Sequence, residues 1–422
     1  MFKWGKTEKY KTIMTIILTM IIERSEVADI KKIKKWILIF GRRKTGKTFL
    51  VENFLTYDDY FFVKRDRSII SKKDRKEISY DTLIALIERE LANGKTIVID
   101  EFHRLGDTFL DFIQYTKKNG KLILISSTLF LSKKMFSSKS PLLGFFAEVP
   151  ISIISLKDTL NHLKKYKINK KQLLELSIFL REPIVIEYFN QNEDSRKLIA
   201  SIIMHSIKTV PALIGEIFIE EERSISAIYE GILRAIANGK TVSGEISGYL
   251  FSRKLLKKDD PSIVQQYLKN LMEFGIIKRI KVYGKNKLVY KHVSPLSRIY
   301  YYADEKYNIS ERKISINEME RIINEILPRI IEDNIREFIS EKYGFEEALF
   351  EAKDYDVDGC LLKFKKPEIA LEVKWGKKID IKMVEANLRK IEAKKKLLFV
   401  PEKKEFKNIE MEIDVIDVSD LV

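Results

Sequence analysis

A stretch near the N-terminus has the residue types and the spacing that bind phosphate. It reads Gly41-Arg42-Arg43-Lys44-Thr45-Gly46-Lys47-Thr48. The stretch matches the pattern G-x-x-x-x-G-K-[ST] and lies between the apolar run Trp36 to Phe40 and a helical stretch. In such a loop the glycines let backbone N–H groups and the helix N-terminus face the phosphates. We therefore expect all eight residues to bind ATP, with Lys47 at the β and γ phosphates and Thr48 as a ligand of Mg²⁺.

Two acids follow an apolar run where a nucleotide hydrolase needs them. The run ends in Asp100 and Glu101, and Asp100 lies 53 residues after Lys47. We expect Asp100 to hold the Mg²⁺ shell and Glu101 to orient the attacking water. The next apolar run, Lys121 to Ile125, is followed by Ser127. Its hydroxyl is a candidate for contact with the γ-phosphate or the water, although a hydroxyl there is more often only a cap or a turn.

A third set of residues has the spacing of a metal-dependent nuclease site. In the run Ile369 to Trp375, the strand period of two places Glu372 and Lys374 on one face. Asp358 lies 14 residues before Glu372, at the start of the preceding predicted strand. Asp358 and Glu372 would bind Mg²⁺ and Lys374 would position a water or stabilise the transition state, with Glu337 as an additional acid. The alternative is an ordinary ion pair on an edge strand, and a nuclease-like fold can also lack activity.

Positive charge is concentrated in one window of the sequence. From Phe251 to Tyr300 there are 12 Lys+Arg and 3 Asp+Glu, which gives +9 of the chain's +16. Asp260-Pro261 begins a predicted helix, and two strands around the turn Tyr283 to Lys287 form a hairpin, an order typical of a winged helix-turn-helix. The residues expected to contact double-stranded DNA are Lys254, Lys257, Lys258, Gln265, Lys269, Arg279, Lys285 and Lys287. The alternative is a solvated surface in a lysine-rich protein.

Composition restricts the class of protein. The 422 residues include 77 Lys+Arg, 61 Asp+Glu, 45% hydrophobic residues and one cysteine, Cys360. This length predicts roughly two to four domains, and the apolar share excludes a disordered chain. A single cysteine excludes a disulfide framework or a thiolate zinc cage and fits a reducing cytoplasm. The net charge of +16 favours a polyanionic partner, either nucleic acid or an anionic membrane surface.

The run Ile13 to Ile22 is the candidate membrane segment. It has ten residues, interrupted by Thr15 and Thr19, whereas a spanning helix needs about twenty apolar residues. No small-x-small cleavage site follows, so a signal peptide is not indicated. We expect a core-packed helix in a cytoplasmic protein without membrane contact, with Met14 or Met20 as alternative starts.

The hydrophobic pattern predicts the elements that must position these residues. In the first third, four continuous apolar runs alternate with helical stretches, which is typical of a parallel sheet with crossover helices. Residues 156–218 then read as helices broken at Pro183 and Pro211. After the basic window come a long amphipathic helix around Pro328 and further strands. The expected fold is α/β with a parallel-sheet P-loop ATPase core (1–155), a helical lid (156–222), a winged helix-turn-helix (223–305) and a second α/β, nuclease-like domain (306–422).

These features together resemble the archaeal ATPase family in the STAND branch of the AAA+ P-loop ATPases. The stretch Lys139 to Gly144 is similar to that family's S-P-L-Y-G-R sequence, and a strand-like segment from Val149 to Leu156 follows. Phe145 stands where the family has arginine, so we expect slow turnover by the isolated chain.

The resemblance extends to the lid and to the C-terminal half. Leu180-Arg181-Glu182-Pro183 is similar to the family's G-G-x-P element with both glycines replaced. Arg181 can supply a cation there, although a surface salt bridge is the commoner role. The family carries a winged helix and then a domain similar to PD-(D/E)xK nucleases, which is what the resemblance implies for this chain.

Two functions compete at this point. The first is an ATP-binding switch or motor that engages DNA through the winged helix, with nuclease-like chemistry or binding at the C-terminus. The second is a nucleotide-gated regulator or scaffold whose C-terminal domain only binds nucleic acid or protein. An RNA target, a protein partner and self-association also stay open. Phosphodiester cleavage that depends on Asp358 and Glu372 distinguishes the first from the second.

Overall fold

The structure is a computed structural model, and it describes residues 20–117, 119–127, 140, 142–220, 226–376, 379–406 and 412–422. Most of the helix predicted from Ile13 to Ile22 lies outside these residues, as do Lys139 and Pro141 of the stretch similar to the family sequence. No single helix in the described ranges is long and apolar enough to cross a membrane. One pair, Ser195–His205 with Thr209–Ile219, passes the same test of length and composition with a bend of 57° between its members.

The N-terminal third folds around a seven-stranded sheet. Its strands are β1 (Trp36–Phe40), β2 (Asp59–Val63), β3 (Ile69–Ser71), β4 (Lys76–Ile78), β5 (Thr96–Asp100), β6 (Lys121–Ser126) and β7 (Phe146–Pro150). They lie in the order β4-β3-β2-β5-β6-β1-β7. Strands β2, β5, β6, β1 and β7 are parallel to one another, while β3 and β4 form an antiparallel edge. The predicted α/β fold with a mostly parallel sheet is confirmed.

Helices accompany the strands of this sheet. They are α1 (Glu26–Lys32), α2 (Lys47–Phe54), α3 (Tyr80–Ala92) and α4 (Asp107–Tyr115). The strands are continuous apolar runs because alternate residues enter two cores, with Leu38 in one and Ile37 and Ile39 in the other. Since the strands are parallel, the ends of β1, β5 and β6 meet at one edge, where the phosphate loop, Asp100 and Ser127 lie.

One predicted strand has the wrong bounds. The segment expected to extend from Val149 to Leu156 ends as β7 at Pro150, and Leu156 begins helix α5 (Leu156–Leu163). The Ser155 hydroxyl accepts a hydrogen bond from the Asp158 N–H at 3.1 Å and so caps the helix. Ile151, Ile153 and Ile154, which lie between, are apolar and buried, which is why the pattern indicated a longer strand.

Helices continue to residue 220 as α6 (Lys170–Phe179), α7 (Ser195–His205) and α8 (Thr209–Glu220). Pro183 begins a 3₁₀ helix, Pro183–Tyr188, as the predicted break requires. The second break lies at residues 206–208, and Pro211 is inside the first turn of α8. Proline is tolerated there because an N–H in the first turn has no intrahelical partner.

Residues 227–307, which include the basic window, form helices followed by a hairpin, as predicted. The elements are α9 (Ala227–Ala237), α10 (Ser243–Ser252), α11 (Pro261–Glu273), β8 (Ile277–Val282), β9 (Leu288–His292) and α12 (Pro295–Tyr307). Asp260 caps α11, and Gly275 follows its end with a φ of 66°. The hairpin is not free, because β8 pairs in parallel with β10 (Ala348–Glu351) from the C-terminal region.

The C-terminal region consists of a long helix and a second sheet. Helix α13 (Ile316–Tyr343) begins at a capping box of Ser315 and Glu318 and contains Pro328. The sheet has the order β12-β13-β14-β15. Its elements are β12 (Gly359–Lys363), β13 (Lys366–Val373), α14 (Ile381–Arg389), β14 (Lys395–Phe399) and β15 (Asp414–Ile416), whereas β11 (Asp356–Val357) pairs with β10.

One continuous apolar core joins the helices after residue 156 to the C-terminal region. Helix α13 packs along α7. The Trp375 side chain, just after β13, donates from Nε1 to the buried Glu175 Oε1 of α6 at 3.1 Å. The second sheet is therefore fixed to the helices that follow the ATPase sheet.

Candidate functional site

The phosphate loop has a backbone shape that needs its two glycines. Gly41 has a φ of +154°, and a Cβ there would lie 1.9 Å from the Ile151 carbonyl oxygen. Gly46 caps α2 in the left-handed region with a φ of 85°. The loop therefore runs close to the chain after β7 and turns directly into α2, which leaves the N-terminus of that helix facing the cleft.

Lys47 lies inside this loop with its side chain buried. Its Nζ donates to the carbonyl oxygens of Gly41 at 2.8 Å and of Arg42 at 2.9 Å. The side chain borders a cavity of about 410 Å³. Other residues that line the cavity are Arg43, Lys44, Gly46, Thr48, Phe49, Glu52, Glu101, Ser127, Pro183 and Ile184. The structure thus brings Lys47, Thr48, Glu101 and Ser127 together around one space.

Asp100 ends strand β5 as a buried carboxylate held by two hydroxyls. Thr48 Oγ1 and Tyr60 Oη each donate to its Oδ2 at 2.7 Å. The other oxygen, Oδ1, is buried without a hydrogen-bond partner among the described residues. Burial raises the pKa of Asp100, and burial together with the Asp100 charge raises the pKa of Tyr60. An orphaned carboxylate oxygen next to a threonine hydroxyl is a donor set that fits Mg²⁺.

Glu101 leaves the strand in an unusual backbone conformation. Its φ is 56°, in the left-handed region that non-glycine residues rarely adopt. Such a conformation costs of order 1–3 kcal/mol and is found mostly at functional sites. Ser127 Oγ donates to Glu101 Oε2 at 2.8 Å, and His103 Nδ1 lies 3.3 Å from the same oxygen. The carboxylate is thereby held at the cavity that contains Lys47 and Thr48.

Both arginines of the loop are paired with carboxylates of the protein. Arg42 Nη2 donates to Glu182 Oε1 at 2.6 Å, and both side chains are buried. Arg43 Nε lies 3.0 Å from Glu216 Oε2. For Arg42, the predicted contact with nucleotide therefore reduces to its backbone, because its guanidinium is already paired with a carboxylate.

A second cavity, of about 180 Å³, lies on the other side of Gly46. Its lining is mostly apolar and consists of Met20, Ile22, Arg24, Thr45, Gly46, Phe49, Leu50, Phe54, Ile154, Pro183, Ile186 and Glu187. Gly46, Phe49 and Pro183 border both cavities. The two spaces thus adjoin at the start of α2 and at Pro183.

The residue similar to the family's lid element is buried, so the expectation of a surface salt bridge at Arg181 is wrong. Its side chain is 5% exposed and contacts Glu337 and Asn334 of α13. Its Nε donates to the Ile154 carbonyl oxygen at 2.9 Å. Packing between the lid and α13 covers the guanidinium, which the local sequence did not indicate.

Phe145, in the place of the family's arginine, packs against one of the apolar cores of the sheet. An apolar ring in that position offers no charge to a phosphate. The expectation of slow turnover stays a prediction.

The three C-terminal residues selected from the sequence lie together. Asp358 Oδ2 accepts from the Val373 N–H at 2.9 Å, and the Asp358 N–H donates to Glu372 Oε2 at 3.4 Å. Lys374 forms an ion pair with Glu372. Burial, followed by the charges of Glu332 and Glu372, raises the pKa of Asp358 well above its usual range.

Glu337 is not the additional acid of this cluster. It is held by Arg181 and Lys278, and although burial opposes the shift, these two cations lower its pKa to about 2. On α13, the acid whose charge raises the pKa of Asp358 is Glu332, which lies more than one helical turn before Glu337. Within the described ranges, no group of three or more His, Cys, Asp or Glu side chains is arranged to hold a metal ion.

The basic hairpin is largely neutralised by the C-terminal region. Lys287 Nζ lies 2.5 Å and Lys285 Nζ 3.9 Å from Glu351 Oε2. Lys281 Nζ lies 2.6 Å from Glu346 Oε1, and Lys278 pairs with Glu347 at 2.9 Å as well as with Glu337. Two predicted DNA contacts, Lys285 and Lys287, therefore have carboxylate partners within the chain.

The remaining predicted DNA contacts are exposed. Lys254, Lys257 and Lys258 lie between α10 and α11, Gln265 and Lys269 lie on α11, and Arg279 lies on β8. Asn270, another polar side chain of α11, is buried and donates to Tyr229 Oη at 2.6 Å. It is thus unavailable to read a base, unlike Gln265 and Lys269.

Comparison with known proteins agrees with the geometry of the first site. Residues 33–160 match the family model described as an AAA domain. This part of the chain is similar to an AAA-type P-loop domain and is called the AAA domain below. The match contains the phosphate loop, Asp100, Glu101 and Ser127, so the AAA domain holds every residue of the first site that was predicted from the sequence.

Other similarities extend beyond the AAA domain. An uncharacterized protein of Methanocaldococcus jannaschii is 27% identical over 339 residues, which cover 73% of each chain. The solved Walker-type ATPase of Pyrococcus abyssi is 18% identical with a TM-score of 0.51, covering 67% of this chain and 96% of that one, and shows a shared fold. The ORC1 protein of Aeropyrum pernix in complex with DNA covers 67% of this chain and 90% of its own at 13% identity, but its TM-score of 0.30 does not establish a shared fold.

Three residues of these sites were not predicted from the sequence. Tyr60 lies in an aromatic strand with no signal for a partner at Asp100. Glu182 stands beside Arg181 within an apolar stretch, and two adjacent charges in such a stretch are a usable signal for buried pairs. Glu332 belongs to a part of α13 that is buried on nearly every side, which a helical pattern read as amphipathic cannot reveal.

Proposed function

We propose that the AAA domain binds ATP with Mg²⁺ and hydrolyses it in the cleft between the phosphate loop, Asp100 and Glu101. The observation that carries this proposal is the buried Asp100 carboxylate, with one oxygen held by two hydroxyls and the other without a partner in the described chain. A carboxylate in this state is a ligand for a cation. The AAA match supports nucleotide hydrolysis independently.

Each side chain has a separate task in this proposal. Backbone N–H groups of the loop and the N-terminus of α2 hold the phosphates, and Lys47 leaves its two carbonyl partners to contact the β and γ phosphates. Thr48 and Asp100 hold Mg²⁺, which neutralises charge on the phosphate oxygens when bound. Glu101 orients the attacking water, and Ser127 holds Glu101 in place by its hydrogen bond.

The mostly apolar cavity is the proposed place for the nucleotide base. Pocket walls of this kind, with few polar groups, are typical of small-molecule sites. Pro183 borders both cavities and Met20 and Phe54 line the apolar one. One ATP molecule would therefore extend past Gly46, with its base against Pro183 and its phosphates in the larger cavity.

Substitution of Lys47 and Glu101 tests this function. Lys47→Ala should lose nucleotide, because Lys47 contacts ground-state phosphates. Glu101→Gln should bind ATP as the wild type does but hydrolyse it at least about 10²-fold more slowly, because Glu101 acts on the water. Binding is measured by titration of a fluorescent ATP analogue and hydrolysis by phosphate release.

Glu52→Gln is the matched control for this experiment. Glu52 lines the same cavity but pairs with Lys72 and has no assigned task. The Glu52 variant should keep both binding and hydrolysis. Wild-type hydrolysis by Glu101→Gln, or loss of nucleotide in the Glu52 variant alone, would contradict the assignment.

We also infer that the basic window is a winged helix that contacts double-stranded DNA, with unequal contributions from its lysines. Lys254 and Lys257 form no ion pair with the described residues, and Lys258 has only a 3.7 Å contact with Asp260. The hairpin lysines, by contrast, have carboxylate partners. Charges that are already paired release fewer counterions when DNA binds, so the exposed lysines before α11 should dominate the salt dependence.

Two triple variants measure this difference. Lys254→Ala/Lys257→Ala/Lys258→Ala should make the logarithmic salt slope of duplex binding shallower by up to about 0.9 per lost contact. Lys281→Ala/Lys285→Ala/Lys287→Ala should change the slope by less than the amount expected for one lost phosphate contact. Anisotropy titrations at several salt concentrations supply both slopes. Equal slopes for the two variants would show that the ion pairs with Glu346 and Glu351 do not persist on DNA.

A second candidate function rests on Asp358, Glu372 and Lys374, which are linked by a hydrogen bond and an ion pair. We propose a PD-(D/E)xK nuclease-like domain in which this cluster cuts or binds nucleic acid. Mg²⁺-dependent cleavage that is lost in Asp358→Asn and Glu372→Gln but kept in Glu368→Gln supports a nuclease. Absence of cleavage in the wild type supports a nucleotide-gated scaffold, the runner-up function.

Adjacent lid residues support coupling between the two sites. Glu182 holds Arg42 of the phosphate loop, and Arg181 holds Glu337 of α13. The same helix carries Arg336, whose Nη1 donates to the Asp358 carbonyl oxygen at 2.8 Å. We propose that nucleotide binding is transmitted through this buried pair, because a shift of Arg42 displaces Glu182 and, with it, Arg181.

A further inference from the structure

The tip of the β12–β13 hairpin exposes a large aromatic side chain. The two strands are joined by Phe364 and Lys365, since Lys363 pairs directly with Lys366. Phe364 is 90% exposed. Burial of a phenylalanine side chain stabilises a fold by about 1.5–3 kcal/mol, a contribution that this position does not receive. Packing within the chain therefore does not explain the aromatic residue.

The backbone of this turn also departs from what stability favours. Phe364 and Lys365 have φ values of 49° and 65°. A two-residue hairpin turn with positive φ at both positions strongly prefers Asn-Gly or Asp-Gly. Left-handed backbone at a residue with a Cβ costs roughly 1–2 kcal/mol. A position that breaks two local rules without a gain in packing is a candidate for a functional contact.

Positive charge surrounds the exposed ring. Lys363, Lys365 and Lys366 are exposed and form no ion pair with any residue in the described part of the chain. Of the acids nearby, Glu368 is paired with Lys394 at 2.9 Å and Glu346 with Lys281 at 2.6 Å. The hairpin tip is therefore an aromatic ring among three available ammonium groups.

A pair of stacked rings at the end of α13 continues this surface. Tyr343 and Phe345 are stacked, with centroids 5.7 Å apart and planes at 20°. Lys363 Nζ lies 5.9 Å from the Phe345 centroid, and Lys395 Nζ lies 5.6 Å from the Tyr343 centroid. These distances are in the range of cation–π contacts. Cations and aromatic rings thus alternate from the hairpin tip to β14.

We propose that this surface, made of residues 363–366 with Tyr343, Phe345 and Lys395, binds single-stranded nucleic acid. Phe364 stacks on an unpaired base, and the lysines contact the phosphates on either side. A single strand is required because base faces are hidden in a duplex. An anionic membrane is a poorer fit, since interfacial anchors present a broad apolar face, whereas one apolar side chain protrudes here among lysines.

The test measures binding of the full-length chain to a fluorescent thirty-nucleotide oligo(dT) by anisotropy, without ATP. Alanine in place of a stacking aromatic loses about 1–3 kcal/mol per base, so Phe364→Ala should weaken binding by roughly 5- to 150-fold. Phe364→Trp should retain binding. Tyr115→Ala is the matched control, because Tyr115 is 84% exposed on the AAA domain and should not affect it.

Two further variants separate binding from folding. Phe364→Asn/Lys365→Gly supplies the preferred turn residues, so it should raise the thermal midpoint while it weakens oligo(dT) binding. Lys363→Ala/Lys365→Ala/Lys366→Ala should make the logarithmic salt slope shallower by up to about 0.7 for each lost contact with a single strand. A variant that is more stable yet binds less cannot be explained by misfolding.

Four results would overturn the proposal. One is that Phe364→Ala binds oligo(dT) as tightly as the wild type does, and another is that Tyr115→Ala loses as much binding as Phe364→Ala. If Phe364→Ala weakened binding to a duplex of equal length as much as binding to oligo(dT), stacking on an unpaired base would not be the contact. If Phe364→Ala instead lost binding to phosphatidylserine vesicles and kept oligo(dT), the surface would be a membrane contact.

Discussion

The nucleotide site and the C-terminal carboxylate cluster both hold buried acids, but they balance the charge differently. At the first, the Asp100 carboxylate is held by the neutral hydroxyls of Thr48 and Tyr60 and keeps one oxygen without a partner among the described residues. At the second, the ammonium of Lys374 is already paired with Glu372 beside Asp358. Similar acidic residues therefore differ in their need for a divalent cation, because the second site already contains the ammonium of Lys374.

The largest effect is expected where the nucleotide site is fixed to the lid. Glu182→Ala leaves Arg42 buried and unpaired, and removal of one partner from a buried ion pair typically destabilises a protein by about 3–5 kcal/mol. The same variant should weaken nucleotide binding, because Arg42 belongs to the phosphate loop. Urea unfolding and nucleotide titration measure the two effects.

Lys32→Ala is the control for that variant. Lys32 and Asp29 are 76% and 80% exposed, so their ion pair should contribute no more than about 1 kcal/mol. A loss of stability in Glu182→Ala no larger than that of Lys32→Ala would show that the buried pair does not fix the loop.

A smaller effect is expected when the second cluster loses its internal cation. Lys374→Ala leaves Glu372 and Asp358 without the ammonium, so the chain should become less stable by about 1–2 kcal/mol. Its thermal midpoint should then rise with added Mg²⁺, as a divalent cation takes the place of Lys374. The measurement is made without nucleotide and with Lys47→Ala in both proteins, so that metal at the phosphate loop does not contribute.

Lys394→Ala controls for the loss of a lysine on the same sheet. Lys394 is 76% exposed and pairs with Glu368, so its removal should change little. If Lys374→Ala showed no greater response to Mg²⁺ than Lys394→Ala, the ammonium would not be the feature that distinguishes the two sites.

The smallest effect concerns the pH dependence of Asp358. Its pKa is raised above the usual range, first by burial and then by Glu332 and Glu372, so the folded state holds this proton more readily than the unfolded state. The contribution of protonated Asp358 to the free energy of unfolding is therefore fully present below about pH 4, the ordinary pKa range of aspartate. It is lost as the pH rises through the folded-state pKa. Asp358→Asn should stabilise the chain at pH 7 by about 1 kcal/mol and lose this advantage below about pH 4. Equal stabilisation at both values would contradict the charge-based account.

Much of the fold and the nucleotide site could be predicted because local pattern determines them. The apolar runs of β1, β5 and β6 are continuous since both faces of a parallel strand are buried, and Lys47 and Asp100 occupy fixed places after such strands. The left-handed Glu101 and the hydroxyl of Tyr60 were not predicted, because they depend on how one strand end meets its neighbour.

Predictions were wrong where contacts between segments that are distant in the sequence determine the partner of a side chain. Arg181 and Glu337 were treated as a surface residue and a separate acid, yet they pair across the lid and α13. The pairs of Lys285 and Lys287 with Glu351 likewise depend on β8 lying beside β10. A charge count in one window indicates a basic region, but it cannot show which lysines meet carboxylates from another part of the chain.

The divalent cation that binds together with the nucleotide should act at Asp100 and Thr48 rather than at Asp358 and Glu372. The most direct measurement is the rise in thermal midpoint caused by Mg²⁺ in the presence of a non-hydrolysable ATP analogue. At one hundred times the dissociation constant a ligand stabilises a folded protein by about 2.7 kcal/mol. Asp100→Asn should lose the Mg²⁺-dependent part of the rise, and Asp358→Asn/Glu372→Gln should keep it. The reverse result, with the rise kept in Asp100→Asn and lost in the C-terminal variant, would show that the cation acts at the C-terminal cluster instead.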